Sequence, residues 1–152
     1  MGTVGYLLDT HTFLWATYEV AKLSDPAKMA MNDKNTQKFV SAASAYEIMN
    51  KYRLKKIPDF AYVADNYFEV VRALGAFELP INSRHAHLAG KLEWSNRDPF
   101  DRLLAAQAFT EKLALITSDR AFDSLFWLNV LWQNTRTRVR DRGLRINGGM
   151  QC

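Results

Sequence analysis

Five short apolar runs, at about residues 4–8, 38–41, 77–81, 114–117 and 128–132, alternate along the chain with longer segments of helical periodicity. Runs of that length suit a strand and are too short for a helix. Strands apolar on both faces must be covered on both faces, and strands separated by helices run parallel. The alternation therefore predicts an α/β domain with a central parallel sheet of about five strands between helical layers. Helices are expected over about 10–17, 24–33, 44–54, 59–74, 83–92, 99–111 and 119–126. Ser24-Asp25-Pro26 and Asp98-Pro99 set a capping side chain before proline at a helix start, and Ser44-Ala45-Tyr46-Glu47 has the spacing of a capping box. Within 44–54, Ala45, Ile48, Met49 and Tyr52 form one apolar stripe, bordered by Glu47. The 152 residues, 48% of them hydrophobic, suffice for one domain with its own core.

Charge is unevenly placed. Residues 134–152 carry five arginines (136, 138, 140, 142 and 145) against Asp141, which is 5 − 1 = +4, the whole net charge of the chain. The remainder balances 15 basic against 15 acidic side chains, so electrostatic steering by that body must come from local patches such as Lys51, Arg53, Lys55 and Lys56. The domain is accordingly expected to occupy 1–133, with 134–152 a disordered or appended tail. One cysteine, Cys152, excludes a disulfide framework and a cysteine zinc site. With no apolar run near the roughly 18 residues that span a bilayer, the expectation is a cytoplasmic protein without a membrane anchor.

The strands end in acids. Val4-Gly5-Tyr6-Leu7-Leu8 closes on Asp9, Leu113-Ala114-Leu115-Ile116-Thr117-Ser118 closes on Asp119, and Glu47 and Asp101 fall in the first turns of helices that open at the same edge. In an open parallel sheet, ligands bind beyond the C-terminal strand ends. Carboxylates gathered there repel one another, a pair at about 4 Å by several kcal/mol at an effective dielectric of 20, and a divalent cation removes that penalty. An acidic cluster lacking cysteine or paired histidine suits Mg²⁺ or Mn²⁺ and phosphodiester chemistry. Each acid also has a plain structural role open to it. Glu47 could complete the capping box and pair with Lys51; Asp98 could cap the helix at Pro99, Asp101 face its dipole, and Asp119 cap a turn. Asp9, directly after an apolar strand, has the weakest such role and needs a partner if buried. His85 and His87, two apart on a helix, point away from each other and do not share a metal.

Taken together, Tyr6-Leu7-Leu8-Asp9-Thr10-His11, Ser41-Ala42-Ala43-Ser44-Ala45-Tyr46-Glu47-Ile48, Arg97-Asp98-Pro99-Phe100-Asp101-Arg102-Leu103-Leu104-Ala105-Ala106-Gln107-Ala108 and Ile116-Thr117-Ser118-Asp119 make the chain resemble the PIN-domain nucleases. The resemblance is to VapC-like toxins of bacterial type II toxin–antitoxin modules and spans about residues 5–133. It implies a three-layer α/β/α fold and a ribonuclease that hydrolyses RNA phosphodiesters with metal-activated water. The implied Mg²⁺ or Mn²⁺ ligands are Asp9, Asp101, Glu47 and Asp119, with Asp98 an additional acid. It also implies a VapB-like antitoxin and a homodimer. Two other readings stand beside it. Asp9-Thr10-His11-Thr12 resembles the aspartyl-phosphate loop of haloacid-dehalogenase-type phosphatases, although His11 stands where a second aspartate is wanted. A PIN-like protein that only binds RNA or antitoxin is the non-enzymatic alternative.

Overall fold

The computed structural model describes residues 5–133; the arginine-rich segment 134–152 lies outside the described residues. Strands β1 (Gly5–Leu8), β2 (Gln37–Ser41), β3 (Phe77–Leu79), β4 (Leu113–Ile116) and β5 (Val130–Leu131) form a single sheet in the order β3-β2-β1-β4-β5. Every neighbouring pair is parallel, with Leu8 in register with both Val40 and Ile116. The helices are α1 (Thr10–Tyr18), α2 (Asp25–Asn32), α3 (Ala42–Arg53), α4 (Ala61–Asp65), α5 (Tyr67–Ala73), α6 (Ser83–Lys91) and α7 (Pro99–Thr110). Among the described residues no helix is long and apolar enough to cross a membrane.

Strand side chains alternate between two cores. Leu8, Val40 and Ile116 pack with Phe13 and Leu14 of α1, Ala27 of α2, Ile48 of α3, Val63 of α4 and Tyr67 and Val70 of α5. Leu7, Leu115 and Val130 face the other way, onto Leu104, Ala105 and Ala108 of α7 and onto Phe122, Leu125 and Leu128. Helix α6 packs on α7. The expected sheet between two helical layers is thus the observed one.

The chain builds outward from β1 to β3, then crosses to the opposite side of β1 for β4 and β5. The direction reverses between β1 and β4, and such a reversal opens a crevice at the C-terminal strand ends. Asp9 and Thr117 each follow directly on one of those two strands.

Several element boundaries differ from the sequence expectation. The segment 59–74 is a 3₁₀ turn, Pro58–Phe60, followed by two short helices. The break is at Asn66 (φ −124°, ψ 35°), whose backbone N–H and side-chain amide both donate to the Tyr62 carbonyl at 2.9 and 3.0 Å. An asparagine side chain that competes for helical carbonyls interrupts a helix in this way. Strand β3 ends at Leu79 because Pro80 lacks the amide a ladder needs, and the helix expected at 119–126 is a 3₁₀ segment, Arg120–Ser124. Helix α3 starts at Ala42, capped by Ser41, whose hydroxyl accepts from the Ala43 amide at 2.9 Å. The Ser44–Glu47 capping box is therefore not formed.

Candidate active site

Asp9 is more firmly held than its sequence context suggested. It caps α1, one carboxylate oxygen accepting from the Thr12 amide at 2.7 Å and the other from the Thr117 hydroxyl, while its own amide donates to the Ile116 carbonyl at 3.1 Å. The residue is 8% exposed. Burial raises its proton affinity, against the opposing pull of the Thr117 hydroxyl, the Thr12 amide and hydroxyl, and the His11 charge. The sequence reading missed this capping role, although an aspartate before Thr10-His11-Thr12 has the spacing that signals it.

Thr117 ties a second acid to this point. Its buried hydroxyl donates to Asp9 and accepts from the Asp119 amide at 3.0 Å, and exposed Asp119 caps the 3₁₀ segment through the Ala121 amide at 2.9 Å. Thr10 ties in a third. Its hydroxyl donates to Glu47 Oε1 at 2.6 Å and lies 2.9 Å from the Ser44 hydroxyl, so Ser44 faces α1 instead of capping its own helix. The other Glu47 oxygen pairs with Lys51 at 2.8 Å, as the i, i+4 spacing allowed.

Asp98 caps α7 as expected, accepting from the Phe100 amide at 2.9 Å. Asp101, in the first turn, accepts from Asn96 Nδ2 at 3.0 Å. Burial, with the charges of Asp98, Asp119 and Glu47 adding to it and the Asn96 bond opposing, pushes its carboxyl up to about 6. Asp101, Asp98, Asp119 and Glu47 thus share one electrostatic environment, and Asp9 joins it through Thr117 and the adjacent Thr10.

Arg102 fixes the loop that carries Asn96. Its guanidinium donates to the carbonyls of Ala89 (2.9 Å), Trp94 (3.1 Å), Asn96 (2.9 Å) and Leu92, and the Asn96 side chain in turn accepts from the Asp98 amide at 2.9 Å. Thr10, Asn96 and Arg102 were not foreseen as site residues. Thr10 and Arg102 stand inside the quoted motifs, whereas Asn96 is a loop residue with no periodic signal. His11 is exposed and packs on Trp15 with ring centroids 5.7 Å apart.

Among the described residues no three His, Cys, Asp or Glu side chains converge tightly enough to cage an ion by themselves. Unneutralised carboxylates repel one another, and Mg²⁺ keeps several waters and needs only one or two direct carboxylates. The all-oxygen donors of this edge fit such an ion.

Solved structures share the fold. VapBC2 of Rickettsia felis, in a structure bound to a DNA fragment from its promoter, aligns over 84% of this chain and 98% of its own at 17% identity, with a TM-score of 0.59. A toxin–antitoxin complex of Klebsiella pneumoniae aligns over 84% and 96% at 20% identity (TM-score 0.57), and FitAcB of Neisseria gonorrhoeae over 86% and 97% at 20% (TM-score 0.56). No curated protein sequence gives a significant match. The sequence profile of the PIN domain matches residues 6–126, most of the described fold and all the acids discussed above. By that match, and with the sheet order and acidic edge just described, the chain belongs to the PIN domain family.

Proposed function

We propose that this PIN domain is a divalent-metal-dependent endoribonuclease acting as the toxin of a type II toxin–antitoxin module. The observation that carries the reading is Asp101, a half-buried carboxyl pushed up to about 6 by its burial and by three neighbouring acids at the crevice of a parallel sheet. Charges gathered there oppose one another in the folded chain, and a bound cation would relieve that repulsion. Asp9, Glu47, Asp101 and Asp119 are the proposed ligands, with Asp98 in support. Bound Mg²⁺ or Mn²⁺ would supply charge stabilisation and a nucleophile at neutral pH. The protein's own part is positioning: Thr117 and the Thr12 amide hold both oxygens of Asp9, Thr10 holds Glu47, and Asn96 holds Asp101. Hydrogen bonds to both oxygens leave Asp9 a weaker nucleophile than the phosphatase reading requires.

The fold shared with toxin–antitoxin proteins supports an antitoxin of the VapB kind as partner, and a homodimer and a cytoplasmic site of action belong to the same proposal. The test is cleavage of total RNA by antitoxin-free protein with Mg²⁺, with Mn²⁺ and with EDTA. Metal-stimulated cleavage is expected, lost in folded Asp9→Asn and Asp101→Asn. Equal activity in wild type and Asp9→Asn would overturn the proposal.

A further inference from the structure

Tyr46 and Phe100 meet across the junction of α3 and α7, with ring centroids 5.8 Å apart and planes inclined at 34°. Each directly precedes an acid of the site, Glu47 or Asp101, so on each helix ring and carboxylate spring from adjacent Cα atoms about 3.8 Å apart and diverge by about 100° around the axis. Tyr46 is 65% exposed and Phe100 half-buried. The core takes Ala45, Ile48 and Tyr52 from α3, and Tyr46 contributes nothing to it. Exposed Arg53, Lys55 and Lys56 follow Tyr46 in the chain, Arg53 seven residues on and so on the same face of α3, and exposed Arg97 precedes Phe100 by three residues. The fold brings together two aromatic residues that lie far apart in the chain.

We infer that Tyr46 and Phe100 form a stacking platform for an unpaired base of the RNA strand whose phosphodiester lies at the acids, an inference that rests on the nuclease reading. The chemistry selects this occupant. Aromatic faces accept any base without sequence readout, unpaired RNA presents free base faces, and exposed cations on the segments that carry the two rings suit its backbone. The two rings brace each other, so little freedom is lost when a base settles on them.

The full chain is tested with a labelled pool of unpaired oligoribonucleotides containing 4-thiouridine, for binding and photo-crosslinking in the Asp9→Asn background and for cleavage in the wild type. Tyr46→Ala and Phe100→Leu are expected to weaken binding and raise KM by about 5- to 100-fold, the range set by loss of one stacked base. Tyr46→Phe, which keeps the ring, restores both, and crosslinks map to Tyr46 or Phe100. Unchanged KM in Tyr46→Ala with crosslinks elsewhere overturns the platform and leaves the nuclease reading standing. Ring-dependent binding in a protein that cleaves no RNA overturns the nuclease reading and leaves the platform. A shift of Tyr46→Ala from dimer to monomer on size exclusion assigns the rings to a second copy of this chain and likewise overturns the platform.

Discussion

Asp101→Asn is expected to stabilise the metal-free protein at neutral pH while removing its proposed activity. The carboxyl is raised from 3.8 to about 6, first by burial and then by Asp98, Asp119 and Glu47, so its charge at neutral pH is a liability to the fold. At about 1.4 kcal/mol per pH unit that rise sets an upper limit near 3 kcal/mol, and solvent around a half-buried group leaves about 1–2 kcal/mol. Asparagine keeps an oxygen for the Asn96 amide, so the local hydrogen bond survives. Its lost first-turn charge costs about 0.3–1 kcal/mol at most, less than the repulsion removed. The pH dependence has a definite sign. Below about pH 4 the carboxyl is protonated in folded and unfolded chains alike and contributes nothing; between about 4 and 6 the folded chain keeps a proton the unfolded one releases, so wild-type stability falls as pH rises. Urea unfolding in EDTA at about pH 4, 6 and 7.5 measures this directly. The variant should match wild type at the lowest pH and lead by about 1–2 kcal/mol at the highest. A variant less stable at pH 7.5, or a gap that does not widen with pH, would show that the Asp101 charge does not oppose folding.

Thr117→Val removes the hydroxyl that serves Asp9 and the Asp119 amide together, and should cost about 1–3 kcal/mol in chemical denaturation, more at neutral than at acid pH because Asp9 loses a bond to its charged form. Arg102→Gln leaves several carbonyls without their donor; a loss of about 2–4 kcal/mol is expected, with faster amide hydrogen exchange over residues 92–98 read by mass spectrometry. Mg²⁺ or Mn²⁺ at about ten times its dissociation constant should stabilise the wild type by about 1.4 kcal/mol in thermal unfolding, an effect absent in Asp101→Asn and fading below about pH 6 as protons compete for the same carboxyl.

The sheet was legible because its strands are short, apolar on both faces and separated by helices, a pattern with one common packing solution. The acids were legible because they end those strands or open the following helices. The roles of Glu47 and Asp9 were less so. Capping-box spacing at Ser44–Glu47 is a local signal, overridden because Ser41, the last residue of β2, already caps the helix and Ser44 turns toward Thr10 on α1. Asp9 looked unsupported because its partner Thr117 is 108 residues away, joined to it only by the β1–β4 pairing. The Tyr46–Phe100 contact and the Arg102 anchor likewise depend on how α3, α6 and α7 pack, which no window of sequence encodes. Local signals placed the elements; long-range pairing decided which polar groups meet.

The proposed activity of the acidic edge is cleavage of RNA with a bound divalent ion. Its most direct test is a transcriptome-wide map of RNA 5′ ends after brief induction of the wild-type chain, set against Asp9→Asn at matched abundance. New 5′ ends are expected at a small number of recurrent sites in the wild type, absent from Asp9→Asn. Identical maps from a folded, equally abundant pair would contradict it.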